Sequence, residues 1–171
     1  MAVIEAIQTT YLEADATSIT FSSLGAYEHL QIRVNARTDA GNTRDPVGVR
    51  FNSDSGTNYS YHTMYGYGSS EVAAATTGAT WIRTWRATGA QVQASYFGSI
   101  VIDILDYRNA SKNTTLQSVG GMNSTEGTMQ IDFASGLWDS TAAVTAISLH
   151  PVLGTNFKRG SEFTLYGLNS S

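Results

Sequence analysis

The chain has 171 residues, a formal net charge of −4 from 10 basic and 14 acidic side chains, and no cysteine. That length favours one domain that folds without a staple, and the missing thiols exclude a disulfide scaffold, a zinc ribbon and a cysteine nucleophile. Charged residues are only 14% of the chain, against about 25% in an ordinary domain; the lysines and arginines are scattered, so no nucleic-acid partner is expected.

The dominant period is two. Residues 3–12 and 18–21 read as opening strands, with 1–14 serving as a first strand or an extended arm. Leu30, Ile32 and Val34 alternate with Gln31 and Arg33, and Val47, Val49 and Phe51 repeat the pattern, as half-buried strands require. Residues 99–105 are almost continuously apolar and predict a central strand covered on both faces. Met129, Ile131 and Phe133 alternate next, then residues 144–149, then Phe163, Leu165 and Gly167. The helix candidates are 59–65 and 136–143, each a turn or two long. Turn signals stand at 39–42, 53–56, Gly120-Gly121 and 153–156, rich in residues that accept unusual backbone angles. Roughly eight to ten short strands predict a single all-β domain over 1–171, a two-sheet antiparallel β-sandwich with little or no helix. Jelly-roll connectivity is the favoured arrangement, although periodicity alone does not fix it.

No run of about 18 apolar residues occurs, so no membrane span is expected. The start, Met-Ala-Val-Ile-Glu, lacks the basic opening and unbroken apolar stretch of a secretory leader. The histidines, His29, His62 and His150, have no short spacing that would suit zinc. No G-x-S-x-G elbow and no phosphate-cradling glycine motif is present. Asp103 and Asp106 are the carboxylate pair to weigh for acid–base work; an exposed face or backbone hydrogen bonding is the simpler role for each. Residues 52–58 carry oxygen-bearing side chains at alternate positions, as calcium loops do. Thr63 stands where an EF-hand needs its twelfth-position Glu, so an Asx-rich turn is favoured. No catalytic residue, cofactor or metal is expected. Two aromatic groups point instead to partner contact: Tyr59, Tyr61, Tyr65 and Tyr67 share one parity, as do Trp81, Arg83 and Trp85. Rings flanked by arginine anchor protein partners, and rings also stack on sugars; the plainer alternative is that such rings fill the core.

Three segments carry a resemblance. They are Ala16-Thr-Ser-Ile-Thr-Phe-Ser-Ser-Leu24 with Tyr27-Glu-His-Leu-Gln-Ile-Arg33; Val49-Arg-Phe-Asn-Ser-Asp-Ser-Gly-Thr-Asn-Tyr-Ser60; and Gly136-Leu-Trp-Asp-Ser-Thr-Ala-Ala-Val-Thr-Ala-Ile-Ser-Leu149 leading to Gly160-Ser-Glu-Phe-Thr-Leu-Tyr-Gly167. Together they resemble small virion proteins of tailed bacteriophages. The resemblance implies a jelly-roll-like structural component of the virion, made in the bacterial host cytoplasm, with no catalytic residues to carry over. The compact length and extended N-terminal arm favour a capsid cement (decoration) protein on the outer surface of the shell, with the major capsid protein as partner, and the resemblance implies a homotrimer. The absence of heptads argues against a fibre shaft. A tail-associated protein, at the distal tail or as a fibre head, remains the alternative, as does a carbohydrate-binding module for host attachment.

Overall fold

The computed structural model describes residues 3–123 and 129–169. Among them are twelve strands and no helix. In chain order the strands are β1 (Val3–Tyr11), β2 (Ile19–Phe21), β3 (His29–Ala36), β4 (Arg44–Phe51), β5 (Tyr59–Tyr67) and β6 (Ser70–Ala79). They continue with β7 (Ile82–Thr88), β8 (Gly98–Leu105), β9 (Thr114–Met122), β10 (Gln130–Trp138), β11 (Ile147–Pro151) and β12 (Glu162–Asn169). The predicted helix at 59–65 is the body of β5, because alternating tyrosines suit a pleated strand better than a helical turn. The second candidate, 136–143, is the end of β10 followed by irregular chain.

All neighbouring strands are antiparallel, and they form an eight-stranded sheet in the order β1-β12-β3-β8-β9-β10-β5-β6 and a four-stranded sheet in the order β2-β11-β4-β7. The connectivity is that of a jelly roll. First strand pairs with last (β1 with β12), β2 with β11, β3 with β8 and β4 with β7, as in a long ribbon folded back and wrapped around a core. Two hairpins interrupt this ribbon. The β5–β6 pair leaves between β4 and β7, the β9–β10 pair between β8 and β11, and both join the larger sheet beyond β8. Residues 3–11 are thus an edge strand and not a free arm.

The core lies between the sheets. Phe21, Phe51, Ile82, Trp85, Phe157 and Phe163 are fully buried there, with Leu30, Ile32, Ile102 and Leu165 from the central strands. The predicted turn at Gly120-Gly121 falls inside β9. Gly120 is needed for close approach rather than for a bend: a Cβ there would stand 2.4 Å from Trp85 Cγ and 2.5 Å from the Ser99 carbonyl oxygen. The indole of Trp85 therefore packs closely against the added part of the sheet at Gly120.

Candidate functional site

The two faces of the larger sheet divide the predicted residues. In β10 the buried positions are Gln130, Asp132, Ala134, Gly136 and Trp138, while Ile131 and Phe133 are 53% and 49% exposed. The alternation of Met129, Ile131 and Phe133 identifies the strand, but its apolar side faces solvent. Similarly β8 is buried on one side only: Ser99 and Leu105 are exposed, and Val101 and Asp103 half-buried, so the expected cover on both faces is missing. The consequence is an apolar row on the outer face. Val101, Val119, Phe133, Met64 and Ala73 stand opposite one another across β8, β9, β10, β5 and β6. Val119, Phe133 and Met64 are 39%, 49% and 52% exposed. Beside this row His62, Asp103, Gln117 and Ser135 line a shallow depression floored by Val119 and Phe133. The one charged group among the described residues lining it is Asp103, whose Oδ1 accepts a hydrogen bond from Gln31 Nε2 at 2.8 Å.

The tyrosines of β5 do share one face, and it is the inner one. Tyr59 is 1% exposed, stacks on Trp138 with ring centroids 6.4 Å apart, and donates its hydroxyl to the Phe51 and Asp54 carbonyls. Burial pushes its phenol up to about 12. Tyr61 packs at the margin of the core, Tyr65 is half-buried, and Tyr67 is 41% exposed at the open end. The second group is split. Thr84 and Trp85 together oppose Val47 of β4, because the β4–β7 register shifts between the Pro46–Arg86 and Gly48–Arg83 pairs. This bulge inserts one residue and reverses parity beyond it. Trp85 turns fully into the core, whereas Arg83 stays half-exposed and Trp81, just before β7, packs edge-on against His150 at 5.7 Å. Tyr59 and Trp85 are therefore core residues, not partner contacts.

At the open end of the sandwich two segments meet. The Arg86 guanidinium lies 4.3 Å from the centre of the Tyr65 ring and pairs with Asp132 at 3.3 Å, each side chain 8% exposed. Arg44 sits 4.9 Å from the Tyr67 ring centre and donates to Gln130 Oε1, while Gln130 Nε2 donates to Asp132 Oδ1 at 2.9 Å. Burial pushes the Asp132 carboxyl above its ordinary value, against the pull of Gln130 and of Arg86, Arg83 and Arg44; burial also lowers Arg86. Sequence spacing gives no hint of this network, since Asp132 sits in a strand whose alternation suggests the opposite orientation.

The remaining candidates have structural roles. Asp106 pairs with Lys112 and, at 3.5 Å, with His29; it stands just past the end of β8 and does not line the outer-face depression where Asp103 lies. Asp54 accepts hydrogen bonds from Gly56 N–H, Asn58 Nδ2 and Trp138 Nε1, all at 2.8–2.9 Å, and these donors hold its carboxyl below the usual range. Asn52 Oδ1 accepts from the Thr145 and Ala146 N–H groups. The 52–58 segment is thus an Asx-stabilised turn pinned to the 143–146 loop. Among the described residues no three His, Asp or Glu side chains gather as a metal cluster, and no helix is long and apolar enough to cross a membrane.

Fold and surface together define a jelly-roll β-sandwich whose enlarged sheet presents a partly apolar outer face. No protein-family model and no curated protein matches the chain. Among solved structures it is similar to the galectin LEC-6 of Caenorhabditis elegans, with a TM-score of 0.35 and 11% identity over 95% of this chain and 96% of the galectin.

Proposed function

We propose that this chain is a non-enzymatic structural protein of a tailed-bacteriophage virion, a capsid cement protein that binds the assembled shell and stabilises it. The observation that carries the reading is the exposed row Val101–Val119–Phe133–Met64–Ala73 on the outer face. An apolar patch spread over five strands, flanked by Arg33 opposite Val101 and by Asp103, is costly to leave in water and suits burial against another protein. A protein that binds only the assembled shell shifts the equilibrium toward that shell. The assembly proposed for this role is a homotrimer, a closed ring of head-to-tail contacts. The test is the mass of the purified protein by light scattering, followed by titration onto empty capsids. A trimer that saturates capsids at fixed stoichiometry supports the reading; a protein indifferent to capsids overturns it.

A second reading, host attachment by a tail-associated or carbohydrate-binding domain, is favoured by one feature. The exposed ring of Phe133 lies beside His62, Asp103 and Gln117, an aromatic platform next to hydrogen-bonding groups of the kind that holds a sugar. It does not use the rings of Tyr59 or Trp85. A glycan array without signal removes this reading.

A further inference from the structure

Basic residues scattered along the sequence converge at one place in the fold. Arg44 of β4 and Arg83 and Arg86 of β7 line a single pocket, together with Asn42, Gln91 and Leu153 from the loops around it. These are three of the ten basic residues of an otherwise acidic chain. The β7 bulge creates the arrangement: it spaces Arg83 and Arg86 on either side of the inward-turned Trp85, opposite the β4 segment that begins with Arg44. Two of the guanidiniums are held in place. Arg86, 6% exposed, is fixed by Asp132 and the Tyr65 ring, and Arg44 by Gln130 and the Tyr67 ring. Arg83 is different, as it makes no hydrogen bond or ion pair with any described residue.

The charges do not balance. Asp132 pairs with Arg86 at 3.3 Å, and no Asp or Glu stands among the described residues that line the pocket. Asp45, next to Arg44, turns away and spends its oxygens on the N–H groups of Val152, Leu153 and Gly154 at 2.8–3.2 Å. Among the described residues, three guanidiniums against one carboxylate leave a formal excess of two positive charges at a partly desolvated site. Guanidinium forks match oxyanions in geometry, and their charge-assisted hydrogen bonds are the strong ones. We propose that this pocket binds a doubly charged tetrahedral oxyanion, a phosphate or sulfate group, with Arg83 as its free donor and Arg44 and Arg86 as fixed walls. The site lies at the open end of the sandwich and its occupancy does not depend on what covers the outer face.

The test is calorimetric titration of the intact protein at constant ionic strength with inorganic phosphate, inorganic sulfate, acetate and glucose 6-phosphate. Saturable binding of phosphate or sulfate is expected below about 10 mM, where even a millimolar site fills. Arg83→Gln should weaken it by about tenfold, the loss of one charge-assisted contact, with an unchanged melting temperature. Arg44→Gln gives an independent second loss if the first variant folds poorly. Tighter binding of glucose 6-phosphate than of phosphate assigns the group to a sugar ester, and the reverse order assigns it to the free ion; both outcomes support the site. Absence of saturable heat with either dianion overturns it, as does acetate binding as tightly as phosphate, or Arg83→Gln binding unchanged.

Discussion

Phe133 stands directly opposite Met64 on the outer face of the larger sheet, and each leaves about half of its surface in water. Both strands keep their inner positions for the core, so these two side chains bury only about half of their surface. Replacing either with a charged residue is therefore expected to cost about 1–2 kcal/mol and to leave the fold intact. Phe133→Asp and Met64→Lys should nonetheless abolish co-sedimentation with empty capsids, because a charge would have to be desolvated at the centre of the contact. If both variants bind shells as the parent does, the outer face is not the docking face.

The inner face makes the opposite prediction. Asp132 meets Arg86 at 3.3 Å where each is 8% exposed. Asp132→Asn keeps the shape but leaves a buried guanidinium without its counter-charge, a change that costs about 3 kcal/mol. Urea unfolding should show the midpoint falling with the slope unchanged. A loss near zero would mean that water or solvent ions already compensate Arg86.

Strands and sandwich were legible because most of them follow the period-two rule. Leu30, Ile32 and Val34 are buried while Arg33 and Asn35 are exposed, and the segments around Val49 and Phe163 are strands that pack into the same core. The rule failed where burial does not track hydrophobicity. In β10 the sequence alternates cleanly, but the core takes Gln130 and Asp132 because Arg44 and Arg86 reach them from the other sheet, and the apolar residues are left outside. Strand β6 carries almost no signal: after Ser70, Glu71 and Val72 it is Ala, Thr and Gly, with eight of the ten positions of Ser70–Ala79 exposed, and it is held by main-chain pairing to β5. Its Gly78, with φ +66°, sits in the bulge where Thr77 and Gly78 oppose Ser60, a backbone state that glycine adopts without strain. The candidate site was half legible. Parity grouped the tyrosines correctly, yet a single bulge in β7 separated Trp85 from Arg83, and a bulge of that kind leaves no mark in a pattern of alternation.

His150 supplies a pH dependence. It packs under Trp81 and against Gly48, whose missing side chain makes room for the imidazole. Burial, reinforced by Arg50 and opposed by Asp45, pushes its pKa down to about 4. The folded protein thus keeps this imidazole neutral, while the unfolded chain takes up a proton below about pH 6.5. Stability is expected to be fully present above that value, to fall as pH drops from 6.5 to 4, and to lose no more from this group below 4; the loss is about 3 kcal/mol at most. His150→Gln should flatten that window in urea midpoints measured across pH. Asp54, whose carboxyl is held low by Asn58, Trp138 and Gly56, acts separately: its contribution is present above the ordinary carboxylate pKa and is lost only as pH falls below it.

Gly120 tests the join between the jelly roll and its added hairpins. A methyl group there meets Trp85 Cγ at 2.4 Å and the Ser99 carbonyl oxygen at 2.5 Å. The second obstacle is backbone in the neighbouring strand and cannot swing aside, while the first is the largest fully buried side chain in the core. Gly120→Ala must therefore lift Trp85 from the sheet or spread β8 from β9, at a cost of about 1–3 kcal/mol. Gly121, one residue on, has nothing among the described residues nearer than the Gln130 carbonyl oxygen at 3.8 Å, so Gly121→Ala should be close to neutral and serves as the matched control. Tryptophan fluorescence and urea unfolding of the pair separate the two outcomes. A red shift and a lowered midpoint in Gly120→Ala alone are expected, whereas equal effects in both variants would mean that the strand as a whole, not the Trp85 contact, demands glycine.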